Sequence, residues 1–119
     1  MQFMLMINED ESPYAGPDGA ALLEATLAGH MQLAQDLVAA GIPFSGERLK
    51  PAATATTVRF DAGAVSLHDG PFAETHEELG GFYIIDVASL DEAISWAKRI
   101  PVPKGGIEVR PIWPMGAEG

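Results

Sequence analysis

An α+β fold built from two strand–helix–strand units is what this 119-residue sequence predicts. Three observations carry the prediction. Two amphipathic stretches end on clear stop signals and read as helices. Apolar runs of strand length flank each of them, and a turn-centred alternating stretch between the two units reads as a hairpin.

Taken in order, residues 2 to 8 (QFMLMIN) form an apolar first strand that enters the core. Residues 9 to 19 (EDESPYAGPDG) combine two prolines, two glycines and four acids, so they read as a loop; one this long is more often functional or mobile than a short connection. Leu23, Leu27, His30, Ala34 and Leu37 then recur at three- and four-residue steps, with Met31 and Val38 beside them. That spacing predicts an amphipathic helix of about twenty residues, stopped by Gly41 and by Pro43 two positions later. A second strand covers 42 to 49. Residues 55 to 68 predict a hairpin turning at Asp61-Ala62-Gly63.

The stretch HDGPFAETHEELGGFY follows, and residues 81 to 87 give an apolar, aromatic strand. Ser89 three residues ahead of Glu92 is a capping-box pattern for a second helix, with Ala93, Ile94, Ala97 and Ile100 as its buried stripe and Pro101 as its end. Residues 107 to 113 form the last strand, Ile107 and Val109 facing opposite to Glu108 and Arg110, and 114 to 119 are expected to fray. Strand–helix–strand twice over is the order of a split βαβ, ferredoxin-like sandwich with the hairpin as an insertion. Such a sheet leaves one face free of helices. Tyr83 and Ile85 are expected there, and a second copy of the chain is the simplest cover.

Residues 1 to 119 read as a single domain with no internal repeat. Seven Lys and Arg against seventeen Asp and Glu give a net charge of −10, and the basic residues are scattered, so neither nucleic acid nor an anionic membrane surface is an expected partner. The absence of cysteine excludes disulfides and thiolate chemistry. With no basic segment ahead of the first apolar run, the expected location is the cytoplasm.

Asp69-Gly70-Pro71-Phe72-Ala73-Glu74-Thr75, then Glu77 and Leu79-Gly80-Gly81-Phe82-Tyr83, closely resembles the signature of the DGPF group of YciI-related proteins. The similarity extends to Gly46-Glu47-Arg48-Leu49, to residues 51 to 55, to Asp91-Glu92-Ala93 and to Val109-Arg110-Pro111. It implies a ferredoxin-like dimeric α+β barrel, usually a homodimer, without an assigned reaction. Members of the group are often encoded beside sigma factors. On the YciI side of the superfamily the resemblance implies a His–Asp site, with one relative acting as a dehydrochlorinase on a chlorinated hydroxyquinol. The histidine there lies in the first helix, eleven residues before its terminal glycine, a spacing that His30 and Gly41 keep. The aspartate precedes a proline after the second helix; here Ile100-Pro101 stands in that place, and His76 stands where the group usually has lysine.

Two readings follow. In one, the protein is a small enzyme acting on a small organic molecule, with His30 as acid–base residue and Asp69 or Glu74 replacing the missing aspartate. His30 and the loop from Asp69 to His76 would then line one cleft, with Thr75, His76, Tyr83 and Arg110 as ligand-binding candidates. In the other, the protein is a non-catalytic ligand-binding or interaction module linked to transcriptional regulation. No cofactor is expected, and no metal either, because Glu74 and His76 alone are too few ligands. Turn chemistry by itself accounts for Asp69 to Phe72, on a reading that seats Phe72 in the core.

Overall fold

In a computed structural model, which describes residues 1–116, strands β1 (Gln2–Glu9), β2 (Phe44–Arg48), β5 (Glu78–Asp86) and β6 (Gly105–Pro111) form one antiparallel sheet in the order β2-β5-β1-β6. Helices α2 (Gly19–Ala39) and α3 (Leu90–Ala97) are the two crossovers of a ferredoxin-like α+β fold. Strands β3 (Thr56–Asp61) and β4 (Ala64–Asp69) pair only with each other, as an inserted hairpin. The expected loop at 9 to 19 contains a short turn of helix, α1 (Ser12–Ala15), and a single 3-10 turn spans Ala52–Thr54. Part of the expected fraying at 114 to 119 falls on 117–119, outside the described residues.

Local chemistry explains the boundaries. Helix α2 ends where Gly41 takes a φ of 71°. The Ile42 N–H then donates to the Leu37 carbonyl and the Gly41 N–H to that of Val38, which satisfies two carbonyls the helix would otherwise leave open. At the start of α3 the Ser89 hydroxyl accepts the Glu92 N–H while the Glu92 carboxylate accepts the Ala88 N–H. The hairpin turns through Ala62 and Gly63, both at positive φ, in the two-residue geometry that matches strand twist.

The core lies between the sheet and the helices: Phe3, Leu5 and Ile7 of β1 and Ile85 of β5 against Leu33 and Leu37 of α2 and Ala93 and Ala97 of α3. The buried stripe of α2 runs through Thr26, Leu33 and Leu37, whereas Met31 and Val38 face solvent.

The register corrects the expected sheet faces. Phe3 pairs with Ile85 and Leu5 with Tyr83, so Tyr83 and Ile85 share the helix-facing side of the core strand β1. The helix-free face instead carries Met4 beside Ile84 and Met6 beside Phe82, flanked by Ser45 and Glu47 on one edge strand and Glu108 and Arg110 on the other. In a strand every second residue changes side, so identifying the strand without its partner's register leaves its facing open.

The hairpin presents a second apolar surface. Val58 opposite Leu67 and Phe60 opposite Val65 share one face and are exposed, Phe60 at 78%. The radius of gyration, 16.3 Å, exceeds the roughly 13.5 Å expected of a compact chain of this length, because this arm makes its main contacts within itself.

Candidate functional site

Where α2 passes over β2 and β5, the sheet has too little side chain to meet it. Gly46 and Gly81 occupy helix-facing positions, paired with Tyr83 and Arg48 respectively. A Cβ on Gly46 would lie 2.7 Å from the Phe82 carbonyl oxygen and 3.0 Å from Cδ1 of Tyr83; one on Gly81 would lie 2.8 Å from the Glu47 carbonyl oxygen. Glycine therefore lets the strands and the Tyr83 ring pack closely, and it leaves room above them. The result is an open cavity of about 640 Å³, inside the roughly 300–1,000 Å³ range of small-molecule sites. Leu23, Thr26, Leu27, His30 and Ala34 of α2 form one wall, Tyr14 and Ala15 of α1 another, and residues 48 to 51 the mouth.

His30 and Tyr83 form the polar centre. Nδ1 of His30 lies 2.6 Å from the Tyr83 hydroxyl, and the two rings stack at 5.8 Å between centroids and 19° between planes. Burial, and then the positive charge of Arg48, hold the His30 pKa below its ordinary 6.5. Burial likewise holds the Tyr83 phenol above 10.0. Near neutral pH both groups are uncharged: a free imidazole base bonded to a protonated phenol. Around them Tyr14 donates its hydroxyl to Glu9 Oε1 at 2.7 Å, and both carboxylate oxygens of Glu11 accept the Ala52 N–H at 3.2 Å.

The fold favours neutral His30, so the unfolded chain takes up a proton below pH 6.5 that the folded chain takes up only at lower pH. The stability contributed by the neutral ring is thus complete above pH 6.5 and is lost as pH falls through 6.5 toward the folded value. Urea unfolding midpoints should therefore fall more steeply for the wild type than for His30→Gln between about pH 7.5 and pH 5. Parallel profiles for the two proteins would show that the ring is not held neutral.

Of the candidate catalytic and ligand-binding residues, the structure brings His30 and Tyr83 together in this cavity and places Asp69, Glu74, Thr75, His76 and Arg110 elsewhere. The shared cleft of His30 with Asp69 and Glu74 is not formed: neither carboxylate lines the cavity, whose acids are Glu9, Glu11 and Glu47. The physical reason is that residues 69 to 76 belong to the hairpin arm. The Gly70 N–H donates to the Ala55 carbonyl, the Thr57 hydroxyl to the Gly70 carbonyl, and Arg59 both bonds the Phe72 carbonyl and lies 4.8 Å over the Phe72 ring. Gly70, at a φ of 119°, makes the bend that residues with a Cβ avoid. Phe72 is exposed, not seated in the core. Thr75 closes a local turn by donating to the Glu77 carbonyl, and His76 is exposed. Arg110 stands on the helix-free face, paired with Glu108 on its own strand. Among the described residues no three His, Asp or Glu side chains converge as a metal site, and no helix is long and apolar enough to cross a membrane.

Sequence reasoning did not single out Tyr14, Glu9 and Glu11, because the segment that carries them reads as a loop; its unusual length was the signal that pointed to function. In the sequence Arg48 stands in the Gly46-Glu47-Arg48-Leu49 segment, where a guanidinium can either hold an anion by a bidentate contact or pair with one of the many acids. Its alternation with Gly46 on β2 points it at the cavity.

A ferredoxin-like α+β domain with a cavity between its long helix and its sheet is the class of protein that the fold and site define. The chain belongs to the YCII-related domain family, whose model matches residues 1–116. It is also similar to an uncharacterised protein of Rhizobium meliloti (strain 1021), with 50% identity over 68 residues, or 55% of each chain. The match thus spans about half the length of that relative.

Proposed function

We propose that this protein is a small enzyme that moves a proton on a small organic molecule held between α2 and the sheet, with His30 as the base. The observation that carries the reading is the 2.6 Å contact of His30 Nδ1 with the Tyr83 hydroxyl, set in a cavity of about 640 Å³. With the ring proton on Nδ1, that N–H donates to the phenol oxygen and the Nε2 lone pair is free to accept a proton from the bound molecule. The imidazolium formed keeps its Nδ1–H bond to Tyr83 and can return the proton from Nε2. Tyr83 thereby orients the ring, as a carboxylate partner would, without fixing a negative charge beside it. That difference suits a base that stays neutral at rest.

Deuterium wash-in tests this and does not require the natural substrate to be identified first. In D2O the protein should catalyse exchange into acidic C–H bonds of small 2-oxo acids or 1,3-dicarbonyl compounds, and His30→Gln should lower that rate by about 10²–10⁴-fold. A rate equal to buffer, or equal in His30→Gln, sinks the enzymatic reading and leaves the non-catalytic module linked to transcriptional regulation.

We also propose that the chain works as a homodimer through the helix-free face. Met4, Met6, Phe82 and Ile84 form an apolar patch on a sheet that has helices on its other side only, and this face is flanked by both signs of charge. A two-fold pairing can set such a patch against itself. The arm's own apolar face lies on a separate sheet and does not pair with it.

A further inference from the structure

Resting on the cavity reading above, we propose that the molecule bound there is an organic carboxylate, its head on the Arg48 guanidinium at the mouth and its apolar body against Leu23, Leu27 and Phe44. The chain carries a net charge of −10, yet two cations without an acidic partner stand side by side at the mouth. Arg99, Lys104 and Arg110 pair with Asp36, Asp10 and Glu108, whereas Arg48, Lys50, Arg59 and Lys98 form no ion pair among the described residues; of these four, Arg48 and Lys50 line the cavity.

The acids of the cavity form no ion pair with them among the described residues. Glu9 accepts the Tyr14 hydroxyl and Glu11 accepts the Ala52 N–H, so both are tied to the wall. Glu47 pairs across from Phe82, which puts it on the opposite side of β2 from Gly46 and Arg48. What remains for a ligand at the mouth is a positive, forked donor.

One arginine fork matches a planar carboxylate through two parallel hydrogen bonds. The largely aliphatic wall behind it suits a hydrocarbon or aromatic body more than a second charged group. Arg48 lies close enough for its charge to depress the His30 pKa. A bound carboxylate would offset that charge, so occupancy should raise the His30 pKa and make the base stronger once the site is filled.

The test compares three probes by calorimetry, with imidazole shifts followed by NMR: 4-phenylbutanoate, its neutral counterpart 4-phenylbutan-1-ol, and inorganic phosphate. The carboxylate should bind the wild type at least about tenfold more tightly than the alcohol, as a charge-assisted pair requires, and should raise the His30 pKa. Arg48→Gln should remove the preference while alcohol binding persists, and His30→Gln should keep it. Equal affinity for carboxylate and alcohol, an Arg48→Gln protein that keeps the preference, phosphate binding as tight as the carboxylate, or no saturable binding of any probe up to roughly 10 mM would each overturn the inference. An Arg48-dependent preference in a protein that exchanges no deuterium upholds the anion site and removes the proton-transfer reading. Exchange without the preference does the reverse.

Discussion

Phe3→Ala should destabilise the protein by about 3–5 kcal/mol, the largest effect expected of any single truncation in this chain. Phe3 is fully buried near the start of β1 and paired with Ile85, itself 1% exposed. Removing the ring forfeits its transfer free energy and opens a void between sheet and helices that rigid neighbours fill only in part. For a domain of this size the loss should lower the melting temperature by roughly 10–20 °C. Met31→Ala is the matched control: it also removes a large apolar side chain, but from the solvent face of α2, where Met31 is 67% exposed, so its effect should stay within about 0.5 kcal/mol. Thermal unfolding of both variants decides the matter. A Phe3→Ala protein that melts with the wild type would place the core elsewhere.

Phe82→Asp should split the proposed homodimer. Phe82 sits beside Met6 in the middle of the helix-free face, away from the packed core. In a face-to-face dimer it would be covered, and an unpaired carboxylate buried there costs several kcal/mol. A two-fold interface contains the substitution twice, so the dissociation constant should rise on the order of a thousandfold or more, at tenfold per 1.4 kcal/mol. Sedimentation at micromolar protein should show two 12.6 kDa chains together in the wild type and a folded single chain in the variant. A wild type that sediments as a single chain rejects the dimer. An unaltered Phe82→Asp dimer moves the interface to another surface, and the exposed arm with Phe60 and Leu67 is then the next to be tested.

The elements whose limits are set by local chemistry were legible in the sequence. Gly41 stops α2 because only a residue free to take positive φ closes the helix there. Ser89 starts α3 because its hydroxyl and the Glu92 carboxylate satisfy open N–H groups, and Ala62-Gly63 turns the hairpin because both positions need positive φ. These preferences act over a few residues and need no partner. His30 was likewise marked by its place in the first helix, and the long DGPF stretch marked the family.

Tertiary structure alone decided how these pieces face one another. Tyr83 could be assigned to a strand but not to a side, since the side depends on its register with Leu5. That register turned a supposed surface residue into the partner of His30. Asp69 and Glu74 were carried away from His30 because the hairpin pairs within itself and the loop folds back onto it through Gly70, Thr57 and Arg59. The cavity arises where Gly46 and Arg48 of β2 meet Gly81 of β5, distant in the chain and brought together by adjacent strands, with no side chain at either glycine to fill the space. Short-range chemistry determines where an element begins and ends. The chemistry of the site depends on pairings between distant residues, which a single sequence does not display.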